Sequence, residues 1–183
     1  MAKMKIGIYD SGKGAEEVCK VLRKHFTEVE WMIYEDHAFF PYGLLQEGVL
    51  VERAHYCIAQ LVERGADIVI VACHTISLIA LSKIRNFFNV PLMGVTLPIL
   101  HAMRGTHFDS LYWCATDASL HSGKIEKHLA SFEISSHFVP LFAQRWVSAI
   151  EMGQQATESL ELIEDVLGQI APYKSGQKRA LVL

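Results

Sequence analysis

Long apolar runs are missing from this sequence. The longest ones, such as Ile68–Cys73, are far shorter than the roughly 20 residues that a membrane-spanning helix needs. The first ten residues, MAKMKIGIYD, also lack the apolar segment of a secretory signal peptide. We therefore expect no membrane partner, and a soluble protein with a cytoplasmic location.

An excess of charge of either sign is missing as well. The 183 residues include 17 lysines and arginines and 20 aspartates and glutamates, which gives a formal net charge of −3. Because these charges are interspersed, they form neither a basic stripe for nucleic acid nor an acidic tail. We expect no nucleic-acid partner. The hydrophobic fraction of 51% is enough for a substantial core.

Cysteine is scarce and widely spaced. The four cysteines are Cys19, Cys57, Cys73 and Cys114, and they show neither a disulfide framework nor the paired CxxC spacing of a zinc site. The nine histidines form no HExxH motif or comparable ligand cluster. We expect free thiols in a reducing compartment and no metal at the site.

Strand-like and helix-like patterns alternate along the chain. We predict strands at 5–10, 29–34, 65–73, 91–96, 110–115, 132–139 and 180–183, and helices at 14–26, 49–64, 76–88, 98–104, around 125–129, at 142–152 and at 157–170. Such alternation predicts an α/β fold with right-handed crossovers and helices on both faces of parallel sheets. The pattern restarts after Pro98. We therefore predict two Rossmann-like halves with mainly parallel sheets, residues 1–96 and 97–183, and an interdomain cleft.

The segment Gly65–Ser77, GADIVIVACHTIS, reads as a buried strand that passes directly into a helix. Cys73 then lies beyond the carboxyl end of a parallel strand, where ligands bind in open sheets. The following helix N-terminus would lower the pKa of its thiol below the usual value of about 8.5. The alternative is an ordinary core cysteine, since free cysteine is among the most buried residue types. Asp10 and the predicted polar turn Thr116–Ser119 also follow strands, so they can converge with Cys73 on one site.

Five segments in this order resemble the glutamate racemases of the cofactor-independent aspartate/glutamate racemase superfamily. They are IGIYDSGKG (6–14), EDHAFFPYG (35–43), VIVACHTIS (69–77), VPLMGV (90–95) and ATDASLHSG (115–123). In that family, one cysteine removes the α-proton of the amino acid and a second cysteine returns a proton to the opposite face. The resemblance implies interconversion of L- and D-glutamate for peptidoglycan synthesis, with glutamate as the small-molecule partner and no cofactor.

The resemblance also implies roles for individual residues. Cys73 would act on one face of the substrate, with Asp10 assisting the proton transfer. The implied substrate-binding residues are Ser11, Pro41, Tyr42, Gly43, His74, Thr75, Thr116 and Ser119. Among these, the segment from Pro41 to Gly43 matches the loop that shapes the pocket, and His74 stands where the family usually has asparagine.

Each role has a structural alternative. Asp10 could cap the next helix, and Ser11, Thr116 and Ser119 could be turn or cap residues. Tyr42 could be an ordinary aromatic side chain over a core edge. His74 could change the ionisation of the neighbouring thiol, or be an exposed substitution without consequence.

The sequence departs from the family at its end. The family's second cysteine follows a strand similar to Ala180–Leu183, where this sequence stops, and Phe142, Ala143 and Gln144 stand where the family has an acid. We expect a truncated chain with impaired racemisation, and the sequence leaves open whether it is an active isomerase. The alternative is an inactive homologue that binds an acidic amino acid or a protein partner. An uncovered final strand invites self-association, so a homodimer is a further expectation.

Overall fold

The computed structural model describes residues 3–153 and 156–183. It contains two compact units, Met1–Leu97 and Pro98–Leu183. Each unit has a parallel sheet with helices in its crossovers, so the predicted α/β class with mainly parallel sheets is confirmed. Within the described ranges, every helix is too short or too polar to cross a membrane.

The first unit has a four-stranded sheet in the order β2-β1-β3-β4, with all strands parallel. Its strands are β1 (Met4–Asp10), β2 (Val29–Glu35), β3 (Ile68–Val71) and β4 (Leu92–Gly94). Its helices are α1 (Gly14–Arg23), α2 (Glu47–Glu63), α3 (His74–Ile79) and α4 (Leu81–Ile84), with single 3-10 turns at His37–Phe39, Tyr42–Leu44 and Arg85–Phe87. Helix α5 (Thr96–Met103) contains the boundary between the units.

Successive side chains of β1 point to opposite faces of the sheet. On one face, Ile8 packs against Ala15 and Cys19 of α1. On the other face, Gly7 leaves room for α2, because a Cβ atom at this position would lie 3.0 Å from Leu61 Cδ1. Helices therefore cover both faces of the sheet, as predicted.

The strand order places a topological switch point beside β1. The chain passes from β1 to β2 on one side and then crosses to β3 on the other. The carboxyl ends of β1 and β3 consequently border the crevice in which open α/β sheets bind ligands. Asp10 is the last residue of β1, and Cys73 comes two residues after β3.

The second unit repeats this arrangement with three parallel strands in the order β6-β5-β7. Its first strand is again central, as in β2-β1-β3. The strands are β5 (His107–Ala115), β6 (Ser135–Phe142) and β7 (Arg179–Val182), and the helices are α6 (Asp117–His121), α7 (Lys124–Ser131), α8 (Gln144–Glu151) and α9 (Ala156–Leu167). The predicted final strand pairs with β5, and Leu181 and Leu183 remain exposed.

Three local predictions are wrong. The predicted helix over 76–88 is broken at Ala80 into α3, α4 and a 3-10 turn. Nearly all residues around this break are buried, so packing rather than helix propensity sets the path of the chain. Helix α1 ends at Arg23 and leaves Phe26 exposed. The predicted polar turn Thr116–Ser119 is instead the start of α6.

Gly94 of β4 packs closely against the helices that follow β3. A Cβ atom there would lie 2.8 Å from both Leu81 Cδ2 and Ser77 Oγ. Ser77 is held in place because its Oγ donates to the Val71 carbonyl oxygen at 3.1 Å. We expect Gly94→Ala to lower the free energy of unfolding by about 1–3 kcal/mol in urea denaturation.

Gly48 provides the matched control for Gly94→Ala. It lies in α2, and a Cβ atom at this position would meet nothing within 4 Å. Gly48→Ala should therefore raise the free energy of unfolding, by up to about 1 kcal/mol. Equal effects of the two substitutions would contradict the close packing at Gly94.

Candidate functional site

Cys73 lies directly before α3 and is only 5% exposed. Its Sγ atom is 3.4 Å from Ser11 Oγ. Ser11 follows the last residue of β1, so the carboxyl ends of β1 and β3 bring these two side chains into contact. A thiol and a hydroxyl therefore meet at the topological switch point of the first sheet.

Burial, and after it the negative charge of Asp10, raises the pKa of the Cys73 thiol to about 12. The hydrogen bond with Ser11 acts in the opposite direction but is weaker. The prediction that the helix N-terminus lowers this pKa is therefore wrong. Helix α3 has only six residues, and the loss of hydration disfavours the thiolate more than so short a helix favours it.

The raised pKa predicts how Cys73 reacts with iodoacetamide. Only the thiolate is nucleophilic, and below the pKa its fraction rises about tenfold for each unit of pH. We expect the alkylation rate of Cys73, followed by peptide mapping, to rise about tenfold per pH unit between pH 7 and pH 10 and to reach no plateau. Circular dichroism over the same pH range controls for unfolding. A rate that levels off between pH 9 and pH 10 would show that the thiol ionises near its usual pKa of about 8.5.

Asp10 is 7% exposed and holds the turn that precedes α1. Its Oδ2 atom accepts the backbone N–H groups of Gly12 at 3.2 Å and Gly14 at 2.9 Å. A Cβ atom at Gly14 would lie 2.7 Å from the same oxygen, so the turn requires glycine there. The capping alternative is thus observed for Asp10, and the same carboxylate also acts electrostatically on Cys73.

Tyr42, between Pro41 and Gly43, is 2% exposed, so it is not a side chain over a core edge. Its hydroxyl accepts a hydrogen bond from Tyr9 Oη at 2.8 Å and donates one to Asp36 Oδ2 at 2.5 Å. Burial, more than any other cause, raises the pKa of both tyrosines. The segment from Pro41 to Gly43 is therefore anchored through a protonated phenol.

The sequence did not indicate the buried ion pair of Asp36 and Arg53, whose carboxylate accepts the hydrogen bond from the Tyr42 hydroxyl. Asp36 is 4% exposed, and Arg53 of α2 donates to its two carboxylate oxygens, from Nε to Oδ2 at 2.9 Å and from Nη2 to Oδ1 at 3.0 Å. The position of Asp36 at the end of a predicted strand is a signal that could have marked it. Arg53 lies 17 residues later in a helical pattern, and no local spacing distinguishes it there.

His74 and Thr75 begin α3, and both are close to the carboxyl end of β3. The Nδ1 atom of His74 is 3.5 Å from Oγ1 of Thr96, a buried residue at the start of α5 that the sequence did not indicate. Burial lowers the pKa of His74, which keeps its imidazole neutral near pH 7.

In the part of the chain that the structure describes, no three His, Cys, Asp or Glu side chains are placed to hold a metal ion.

Thr116 and Ser119 belong to the second unit, after the carboxyl end of β5. Thr116 caps α6, because its Oγ1 accepts the Ser119 backbone N–H at 3.4 Å and lies 3.0 Å from Ser119 Oγ. These contacts fit the capping alternative. Cys114 is buried inside β5, and burial raises the pKa of its thiol to about 11.

Comparison with curated proteins finds glutamate racemases. That of Aquifex aeolicus is 34% identical over 142 residues, which are 76% of this chain and 56% of that protein. That of Aliivibrio salmonicida is 30% identical over 182 residues, which are 96% of this chain and 65% of that protein. The chain therefore spans between about half and two thirds of the length of these relatives. No family model matches the sequence.

Solved structures of glutamate racemases share the fold. The Thermus thermophilus enzyme in complex with β-chloro-D-alanine is 27% identical, with a TM-score of 0.78, over 93% of this chain and 63% of that one. The Aquifex pyrophilus enzyme is 29% identical, with a TM-score of 0.70, over 91% of this chain and 66% of that one. The likeness thus extends over almost the whole chain.

Proposed function

Because this chain belongs to the aspartate/glutamate racemase superfamily, we propose that it carries the part of a glutamate racemase site in which Cys73 moves the α-proton of glutamate. The observation that carries the proposal is the contact of Cys73 with Ser11, beside the Asp10 carboxylate, at the switch point of the first sheet. Cys73 is the acid or base, and Asp10 assists the transfer.

The raised pKa of Cys73 fits this chemistry. The α-proton of an amino acid is a very weak acid, so a strongly basic thiolate suits its removal. Burial and the charge of Asp10 disfavour the thiolate, but the ammonium group of a bound amino acid offsets the charge of Asp10 and favours the thiolate. In the transfer, the Cα–H bond breaks, the S–H bond forms, and the electron pair stays on the substrate.

Polar side chains around Cys73 suit an anionic amino acid. Hydroxyl and backbone N–H groups at helix starts donate hydrogen bonds to carboxylate oxygens. The proposed binding residues are Ser11, Pro41, Tyr42, Gly43, His74 and Thr75 in the first unit, and Thr116 and Ser119 in the second. The product would serve peptidoglycan synthesis in the cytoplasm. We include a homodimer in the proposal, because an edge strand such as β7 can pair with a second copy.

Ligand protection tests this function. Alkylation by iodoacetamide at pH 9 is mapped at Cys73 and at Cys114, with and without glutamate. We expect glutamate to slow the reaction at Cys73 and to leave Cys114 unchanged. Lysine, whose side chain is cationic, is the control ligand and should protect neither. Equal labelling of Cys73 at all glutamate concentrations would refute the proposal.

A further inference from the structure

Arg53 is held in one orientation by its surroundings. Its guanidinium lies 4.0 Å from the centre of the Phe39 ring and 4.7 Å from that of Tyr56. It also forms the two-pronged pair with Asp36. A planar guanidinium that stacks on rings and binds a carboxylate with two donors fixes direction as well as charge. Lysine cannot reproduce this geometry.

The Arg53–Asp36 pair is linked to the backbone beside Cys73. The Asp36 backbone N–H donates to the Asp10 carbonyl oxygen at 3.0 Å, and the Ala72 N–H donates to the Tyr9 carbonyl oxygen at 2.8 Å. The hydroxyl of Tyr9 in turn donates to that of Tyr42. Side-chain hydrogen bonds therefore connect Arg53 through Asp36 and Tyr42 to Tyr9. Tyr9 precedes Asp10, and its backbone partner Ala72 precedes Cys73.

The segment between β2 and α2 contains only two single 3-10 turns, at His37–Phe39 and Tyr42–Leu44. No ladder of strand hydrogen bonds holds the described residues of this segment in place. Phe39 and Leu44 are exposed, whereas Tyr42 is buried. The position of the segment thus depends strongly on the buried Tyr42 side chain, and therefore on the Asp36 carboxylate that accepts the hydrogen bond from its hydroxyl.

We propose that Arg53 and Asp36 are positioning residues that hold the segment from Pro41 to Gly43 in the conformation that binds the amino acid. This inference rests on the proposed function, which makes this segment part of the binding site. Arg53 acts through Asp36 and Tyr42 and does not touch the substrate. If the anchor weakens, the segment occupies the competent conformation for a smaller fraction of time, and the apparent affinity for the amino acid falls in proportion to that fraction.

The test compares Arg53→Lys with Arg64→Lys. Arg64, at the end of the same helix, lies 5.9 Å over the Tyr34 ring, so its substitution controls for loss of an arginine that stacks on an aromatic ring. In Arg53→Lys we expect amide hydrogen exchange over residues 37–45 to rise about tenfold, the size expected when a hydrogen bond to a charged group is lost. The glutamate concentration for half-maximal protection of Cys73 should rise by the same factor.

The outcomes separate this inference from the proposed function. If glutamate protects the unchanged chain and Arg53→Lys alters neither exchange nor half-maximal protection, the inference is overturned and the function stands. If glutamate never protects Cys73, the proposed function is wrong. Amide hydrogen exchange over residues 37–45 then decides by itself whether Arg53 positions the segment. The slope of Cys73 alkylation with pH should stay the same in Arg53→Lys, because no group around the thiol changes.

Tyr42→Phe is the second variant, for use if Arg53→Lys does not fold. It removes a single hydroxyl group and keeps the buried ring. It should give the same joint rise in hydrogen exchange and in half-maximal glutamate concentration. Unchanged values in Tyr42→Phe, with a normal circular dichroism spectrum, would overturn the inference.

Discussion

The polypeptide of 183 residues is expected to exchange the α-proton of glutamate with deuterium from solvent without interconverting the enantiomers. Racemisation needs a proton donor on the face opposite the base, and each positioned group supplies about 10²- to 10⁴-fold of rate. Cys73 can serve one face. The other three cysteines are buried inside α1, α2 and β5.

Proton NMR in deuterium oxide and chiral chromatography measure the two processes separately. We expect slow loss of the α-proton signal from one enantiomer only, and no appearance of the other. Cys73→Ser should abolish the exchange, whereas Cys19→Ser, which alters a buried cysteine of α1, should leave it unchanged. Rapid interconversion of the enantiomers by this polypeptide would show that a second acid or base is present.

Asp36→Asn is expected to lower the free energy of unfolding at pH 7 by about 3 kcal/mol, the cost of removing one partner from a buried ion pair. The substitution leaves the Arg53 guanidinium with a neutral partner. Asp165→Asn is the matched control, because its partner Arg145 is 3.8 Å away and both side chains are largely exposed. Exposed pairs contribute only about 0–1 kcal/mol.

The effect of Asp36→Asn should also depend on pH. Burial acts to raise the pKa of Asp36, but the hydrogen bonds from Arg53 and Tyr42 outweigh it, so the pKa lies below its usual value. A lowered pKa stabilises the fold above the pKa of the unfolded chain, about 3.9. The difference between the two proteins should therefore shrink as the pH falls below about 4. Urea denaturation at pH 7, 5 and 3 measures it, and a constant difference would contradict a charged Asp36.

Much of the fold could be predicted because it is encoded locally. The apolar stretches at 5–10 and 65–73 have the length and β-branched composition of buried strands, and the structure contains β1 and β3 there. Alternation with helical patterns then requires parallel pairing. The same reasoning places Asp10 and Cys73 at carboxyl ends of strands, and the order β2-β1-β3 makes these ends neighbours.

The properties of the site depended on contacts that no local pattern contains. The thiol pKa of Cys73 was predicted in the wrong direction, because sequence shows the following helix but not the loss of water around the sulfur. Thr96 approaches His74 only because β4 lies beside β3.

The sequence by itself determined the strands, the parallel class and the residues at the strand ends, since these follow from short-range periodicity and chain connectivity. Only the tertiary structure decided the ionisation of Cys73 and the anchoring of Tyr42 by Asp36 and Arg53. The physical reason is that burial and hydrogen bonding arise between residues far apart in the chain. Their energies depend on distances that packing alone sets.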